Sequence, residues 1–267
     1  METVQELTFS GEALLGYVLE ILFQLACPIV LFVLLRRKSS RASLLPLAAG
    51  FVTYMVLSWV RALLREIILT DSVRGFPALF YLLSALLSGV LEEAGRYIAM
   101  KYPLKDRSEF EDAVSYGIGH GGCELWLAGM MQTINFLVWG LECNSKGLAA
   151  MTAGMDPERA QAFIQKLADI ADNSLFGSLL MTASGLESML FHIAMSVLVL
   201  IAVHYEGKGF LLVCAMIMHT VANCLPPVIV WLKVPLPMTA EIIITAAPIV
   251  FTYFYWKKLT QREQGGG

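Results

Sequence analysis

Charge is what this sequence has least of. Lysine, arginine, aspartate and glutamate make up 15% of its 267 residues, where a soluble domain carries about 25%. Hydrophobic residues make up 57%, and mean hydropathy is +0.66. No soluble core of this length encloses that much apolar surface, so the excess faces lipid. A basic surplus is missing as well: a net charge of −3 and a pI near 5.8 exclude nucleic acid as a partner. The five cysteines, Cys27, Cys123, Cys143, Cys214 and Cys224, form no CxxC pair. That excludes both a disulfide framework and a thiolate zinc site and leaves them as small packing residues, with Cys143 expected outside the bilayer. The first apolar stretch, from about Glu12, is too long for a signal-peptide core, and no small-residue cleavage site follows it. It is expected to stay as a span. No internal repeat is visible, which removes the sequence support that a simple transporter architecture would have.

What is abundant is long apolar runs. A helix needs about 20 mostly apolar residues to cross the hydrocarbon core, and seven segments qualify: 13–35, 44–66, 76–100, 112–140, 176–203, 209–232 and 236–256. The expected fold is therefore an all-α polytopic transmembrane bundle of about seven spans, eight being the alternative count. It would form one integral membrane domain over 1–264, with 265–267 as a glycine tail or cloning remnant. Between the fourth and fifth spans lies a polar stretch, 142–173, expected to be an extracytoplasmic loop. Within it, Pro157 to Ile170 has the helical spacing of Ala, Phe, Ile and Leu that suits a short interfacial helix. Basic residues set the orientation. Arg36, Arg37, Lys38, Arg41, Lys101, Lys105, Arg107, Lys208, Lys257, Lys258 and Arg262 fall in one set of loops. Arg61, Arg65, Arg74, Lys146, Arg159, Lys166 and Lys233 fall in the other. The heavier set predicts an N-terminus outside and a C-terminus in the cytoplasm, in a multi-pass protein of a prokaryotic plasma membrane.

Ionisable groups at bilayer depth are rare, expensive and usually functional. Here they gather in four spans. The third holds Glu92, Glu93 and Arg96. Arg96 stands four and three residues from the two carboxylates and can pair with only part of their charge. One carboxylate is left over as a general-base candidate. The fourth holds Tyr116-Gly117-Ile118-Gly119-His120-Gly121-Gly122-Cys123-Glu124. His120 and Glu124 share a face, and the glycines allow close backbone approach and open volume. The fifth holds Glu187 and His192, which point about 140° apart and need not share a partner. The sixth holds His219 and Asn223, again on one face and able to donate to a developing oxyanion. With the orientation above, Glu92, His120, His192 and His219 all fall roughly 12 to 17 Å below the cytoplasmic face. Helices running in opposite directions thus place their polar residues in one layer.

The set Glu92-Glu93-x-x-Arg96, Tyr116-x-x-x-His120 and His219-x-x-x-Asn223 resembles the CAAX prenyl protease type II and bacteriocin-processing superfamily. The Gly119-His120-Gly121-Gly122-x-Glu124 stretch and the seven-span layout look most like the YhfC family of intramembrane proteases. The resemblance implies a peptidase acting on a membrane-associated peptide or protein within the lipid bilayer. Glu92 would activate water with help from His120. His219 and Asn223 would stabilise the oxyanion, and Glu93 and Arg96 would support Glu92. One departure is the spacing: the prenyl proteases carry EExxxR, and the arginine here is one residue closer, which rotates it by about 100°. His192 and Glu124 lie outside that minimal pattern.

Two mechanisms follow. In a glutamic-type enzyme no cofactor is needed, and the absence of HExxH favours this version. In a metalloenzyme His120, His219 and His192 or Glu124 would bind Zn2+, with Glu92 as base. The alternative function is a proton- or cation-coupled transporter that uses the same buried carboxylates. A scaffold without chemistry is the third reading.

Overall fold

Caps and prolines set the helix ends of the chain, seen here in a computed structural model that describes residues 7–233 and 238–265, without the side chains of 238–242 and 262–265. Residues 236–237 of the last expected span, the side chain of Arg262, and Gly266 and Gly267 of the expected tail lie outside the described residues. The helices in order are α1 (Gly11–Lys38), α2 (Leu44–Ile68), α3 (Asp71–Arg74), α4 (Pro77–Lys101), α5 (Phe110–Glu124), α6 (Met131–Lys146), α7 (Leu148–Met151), α8 (Pro157–Ala171), α9 (Leu175–His204), α10 (Phe210–Trp231) and α11 (Met238–Gly265). A π-helical turn, Leu125–Met130, joins α5 to α6. Ser43 caps α2 by accepting from the Leu45 amide, Asp156 caps α8 through the Arg159 amide, and α4 and α8 open on proline, whose fixed φ suits the first turn.

No strand occurs among the described residues, and α1, α2, α4, α9 and α10 are each long and apolar enough to cross a membrane. Their surfaces explain the composition. Leu22, Ile29, Trp59, Leu63, Leu179 and Ile217 are all exposed, as lipid-facing side chains should be. The chain is thus an all-helical, multi-pass membrane protein. The two other expected spans coincide with the helical run 110–146, which the π turn interrupts, and with α11.

Packing divides the described residues into two units, one formed by the chain through Cys27 and by Leu125–Leu186, the other by Pro28–Glu124 and the chain from Glu187. The first has a core of Phe9, Tyr17, Cys143, Leu148 and Leu167. Cys143, expected outside the bilayer, is one of its packing residues. Helix α8 docks on that core through Phe163, Ile164 and Leu167, and Lys166 lies over the Trp139 ring at 4.8 Å. The second unit packs α5 on α2 and α10 on α4, with α2 also against α4. Its core is the inner face of α9 from Phe191 to Ala202, with Tyr116, Leu211 and Ala215.

Candidate functional site

Close approach of backbones brings the polar residues of the second unit together. A Cβ on Gly119 would lie 1.9 Å from the Leu47 carbonyl oxygen of α2, and one on Gly117 would lie 2.5 Å from the Ile193 Cα of α9. No other residue fits there, so the glycines of α5 are interhelical contacts of the kind membrane helices favour. They fill space that the sequence suggested would be open. His120, between them, is fully buried and sits against Tyr54 of α2, edge to face at 5.1 Å between centroids.

Five helices, α2, α4, α5, α9 and α10, then present charge to one another. On α4, Glu93 and Arg96 form a fully buried pair, Arg96 Nη1 donating to both carboxylate oxygens at 2.8 and 2.9 Å. Glu93 Oε1 also lies 2.7 Å from His219 Nδ1 of α10. Glu92, 2% exposed, takes Arg61 of α2 on Oε1. Its Oε2 lies 3.1 Å from His120 Nε2 and 3.6 Å from His219 Nε2. Arg61 also reaches the Tyr54 hydroxyl at 3.3 Å. His192 of α9 is held between Arg96, whose Nη2 is 3.2 Å from Nδ1, and Glu124, which pairs with Nε2. The imidazole centroids of His120 and His192 are 5.0 Å apart, and those of His192 and His219 are 5.4 Å apart.

The partners assign the protons. A carboxylate only accepts and a guanidinium only donates. His219 therefore carries hydrogen on Nδ1, and its Nε2 lies beside Glu92. His120 donates from Nε2 to Glu92, and its buried Nδ1 has no hydrogen-bond partner among the described residues. His192 accepts from Arg96 at Nδ1 and donates from Nε2 to Glu124.

One group in this layer suits a metal ion. Glu92, His192 and His219 are all buried, and one ligand atom from each lies within 4.8 Å of the others. Two imidazoles and a carboxylate are the donor set of zinc sites that keep an open position. The Glu93–His219 contact is the carboxylate–histidine support such ligands usually have. His219 presents its inward Nε2, and Glu92 keeps lone pairs on oxygens that also accept from Arg61 and His120. His192 would have to exchange its contact with Arg96 or with Glu124. The residues thus fit a zinc-type ion, with one ligand to be rearranged.

The sequence-derived residues are not all brought together. Glu92, Glu93, Arg96, His120, Glu124, His192 and His219 meet in one network. Glu187 lies outside it and accepts from Thr245 of α11, so it and His192 indeed have separate partners. Asn223 is exposed, and the structure shows no hydrogen bond for it among the described residues. Of the four ligands expected for zinc, His192 and His219 belong to the compact group, and His120 and Glu124 flank it. The carboxylate that seemed to be left over, Glu92, has a countercharge that the sequence did not assign to it. Arg61, counted with the loop cations, lies within α2 and pairs with it. A local signal existed: an arginine seven residues before the end of a span, with an unpaired carboxylate on the next long helix.

Comparison with known proteins gives two matches. The model of the YhfC intramembrane metalloprotease family matches residues 21–244. The membrane protein YhfC of Bacillus subtilis (strain 168) is 26% identical over 235 residues, covering 86% of this chain and 89% of that protein. No solved structure matches.

Proposed function

The chain belongs to the YhfC intramembrane metalloprotease family, and from that premise we propose that it is a metal-dependent peptidase that hydrolyses a peptide bond of a membrane-associated substrate within the bilayer. The observation that carries this reading is the buried group Glu92, His192 and His219, whose ligand atoms lie within 4.8 Å of one another. Those three residues would hold the ion. The chemistry a bound zinc ion supplies is polarisation of the scissile carbonyl and a water that is nucleophilic near neutral pH.

The rest falls to the chain itself. Glu93 fixes the His219 ring with Nε2 turned inward, and Arg96 keeps Glu93 in place. His120 donates from Nε2 to Glu92 Oε2 and holds that oxygen within the layer. Glu124 is the proposed general base. Its side chain is 31% exposed, against 3% for Glu92 and none for Glu93, so it is the carboxylate that water and a substrate can reach. Glu92 suits that role less well because Arg61 occupies one of its oxygens and His120 the other. We therefore place Glu92 among the ligands rather than as the base, which supports the metal-dependent mechanism over the metal-free one.

The test is metal analysis of detergent-purified protein together with cleavage of a membrane-embedded reporter peptide. The wild type should carry about one zinc ion per chain and lose cleavage to a strong chelator, with recovery on adding zinc back. His219→Ala should lack both metal and cleavage. Folded wild type that binds no stoichiometric metal and cuts in the presence of chelator would overturn the metal-dependent reading in favour of water activation by Glu92 and His120. Gradient-driven uptake by vesicles without cleavage of any peptide would replace both by the transporter.

A further inference from the structure

A second polar group lies in the first unit, outside everything described so far. Helix α1 contains the most apolar stretch of the spanning candidates, with a mean hydropathy of 2.5 over that stretch. Yet its buried face reads Ala13, Gly16, Tyr17, Glu20, Gln24 and Cys27. Glu20, 5% exposed, and Gln24, 4% exposed, face Thr133 of α6. Glu20 Oε1 accepts from Gln24 Nε2 and from Thr133 Oγ1, both at 2.9 Å. Thr133 Oγ1 also lies 3.2 Å from the Gly129 carbonyl, in the π-helical turn. No lysine or arginine pairs with Glu20 among the described residues. The Gln24 side-chain oxygen is buried and has no hydrogen-bond partner there.

A carboxylate in the hydrocarbon region without a countercharge is a functional candidate by default, and π turns recur at functional sites. The donors indicate what it would take. They are one carboxylate, one amide oxygen in want of a partner, one hydroxyl and a backbone carbonyl beside a widened turn. Oxygen donors without imidazole or thiolate select hard cations. A single negative charge is balanced by a monovalent ion, whereas a divalent one would leave net charge in lipid. Carbonyls at irregular turns of membrane helices are also the usual partners of sodium. We propose that Glu20, Gln24 and Thr133, with the Gly129 carbonyl, form a sodium-sized monovalent cation site in the first unit, separate from the Glu92–His192–His219 group.

The experiment is thermal unfolding of the full chain in detergent, followed by tryptophan fluorescence, as sodium chloride replaces choline chloride at constant ionic strength. Binding of 22Na+ is measured beside it. For the wild type, Tm should rise saturably, by roughly 5 °C at sodium well above the Kd, with about one 22Na+ bound per chain. Glu20→Gln and Thr133→Val should unfold cooperatively with no sodium dependence, and Glu92→Gln should keep the full increment. A wild type that unfolds identically in both salts and binds no 22Na+ overturns the site, and this arm decides even where the variants fail to fold. Loss of the increment in Glu92→Gln moves the ion to the other unit and also overturns it. A Tm that follows pH but not sodium identifies a proton as the occupant, which is again a refutation.

Discussion

At the scale of single residues, the contact that most changes the reading of this site is Arg61 with Glu92. Each alone would be a charge in low dielectric, and removing one partner of a buried pair is far more damaging than removing both. Arg61→Ala should therefore lower stability strongly. The full penalty for a completely buried pair is on the order of 3–5 kcal/mol, and the part exposure of Arg61, 21% of its side chain, argues for the lower end. The double variant Arg61→Ala/Glu92→Gln should recover part of that loss, because the orphaned carboxylate is gone. Thermal unfolding of the two variants checks this; a double variant less stable than Arg61→Ala would show that Arg61 does not act through Glu92. Helical spacing could not give this pairing, because its partners are 31 residues apart on different helices and that spacing reports only on neighbours three and four positions away. By the same limit, Glu93–Arg96 was legible, whereas the Arg96 contact to His192 was not.

At the scale of helices, most of the fold was legible, because a run of about 20 apolar residues has few other destinations. The histidines and carboxylates of α4, α5, α9 and α10 could be assigned to one layer from depth alone. What depth cannot supply is which helices touch. That information sits in the glycines of α5, whose sequence signal is ambiguous between open volume and close contact until the neighbours are known. The structure decides for contact, with a prediction attached. In Gly119→Ala the new methyl meets the Leu47 carbonyl oxygen, a backbone atom that cannot rotate aside. Helices α2 and α5 must separate, at a cost of roughly 1–3 kcal/mol, and Tyr54 and Arg61 move away from His120 and Glu92. Gly11→Ala, with nothing within 4 Å, should leave Tm unchanged. Equal stability of the two variants would refute the close packing of α5 on α2.

At the scale of the whole molecule the open quantity is its direction in the membrane, and loop contacts within the second unit bear on it. Arg41 pairs with Glu109 at 2.8 Å, and Ser39 donates to Glu111 at 2.8 Å, so the α1–α2 loop and the α4–α5 loop meet at one end. Phe110 stacks near Trp256 at 5.1 Å, and Trp256 in turn meets Tyr205, which adds the α9–α10 turn and the later part of α11 to that end. It therefore gathers Arg36, Arg37, Lys38, Arg41, Lys101, Lys105, Arg107, Lys208, Lys257 and Lys258. The segment at the other end of α2, Asp71–Arg74, offers a single cation balanced by Asp71. Basic loops are retained on the cytoplasmic side, and anionic lipids there add about 1 kcal/mol per cation near the surface, so an end with ten cations should face the cytoplasm. In a cysteine-free background, Ser72→Cys should react with a membrane-impermeant maleimide in intact cells, and Ser40→Cys only after lysis. The reverse labelling would invert the molecule, and substrates would then reach Glu124 and its neighbours from the opposite face.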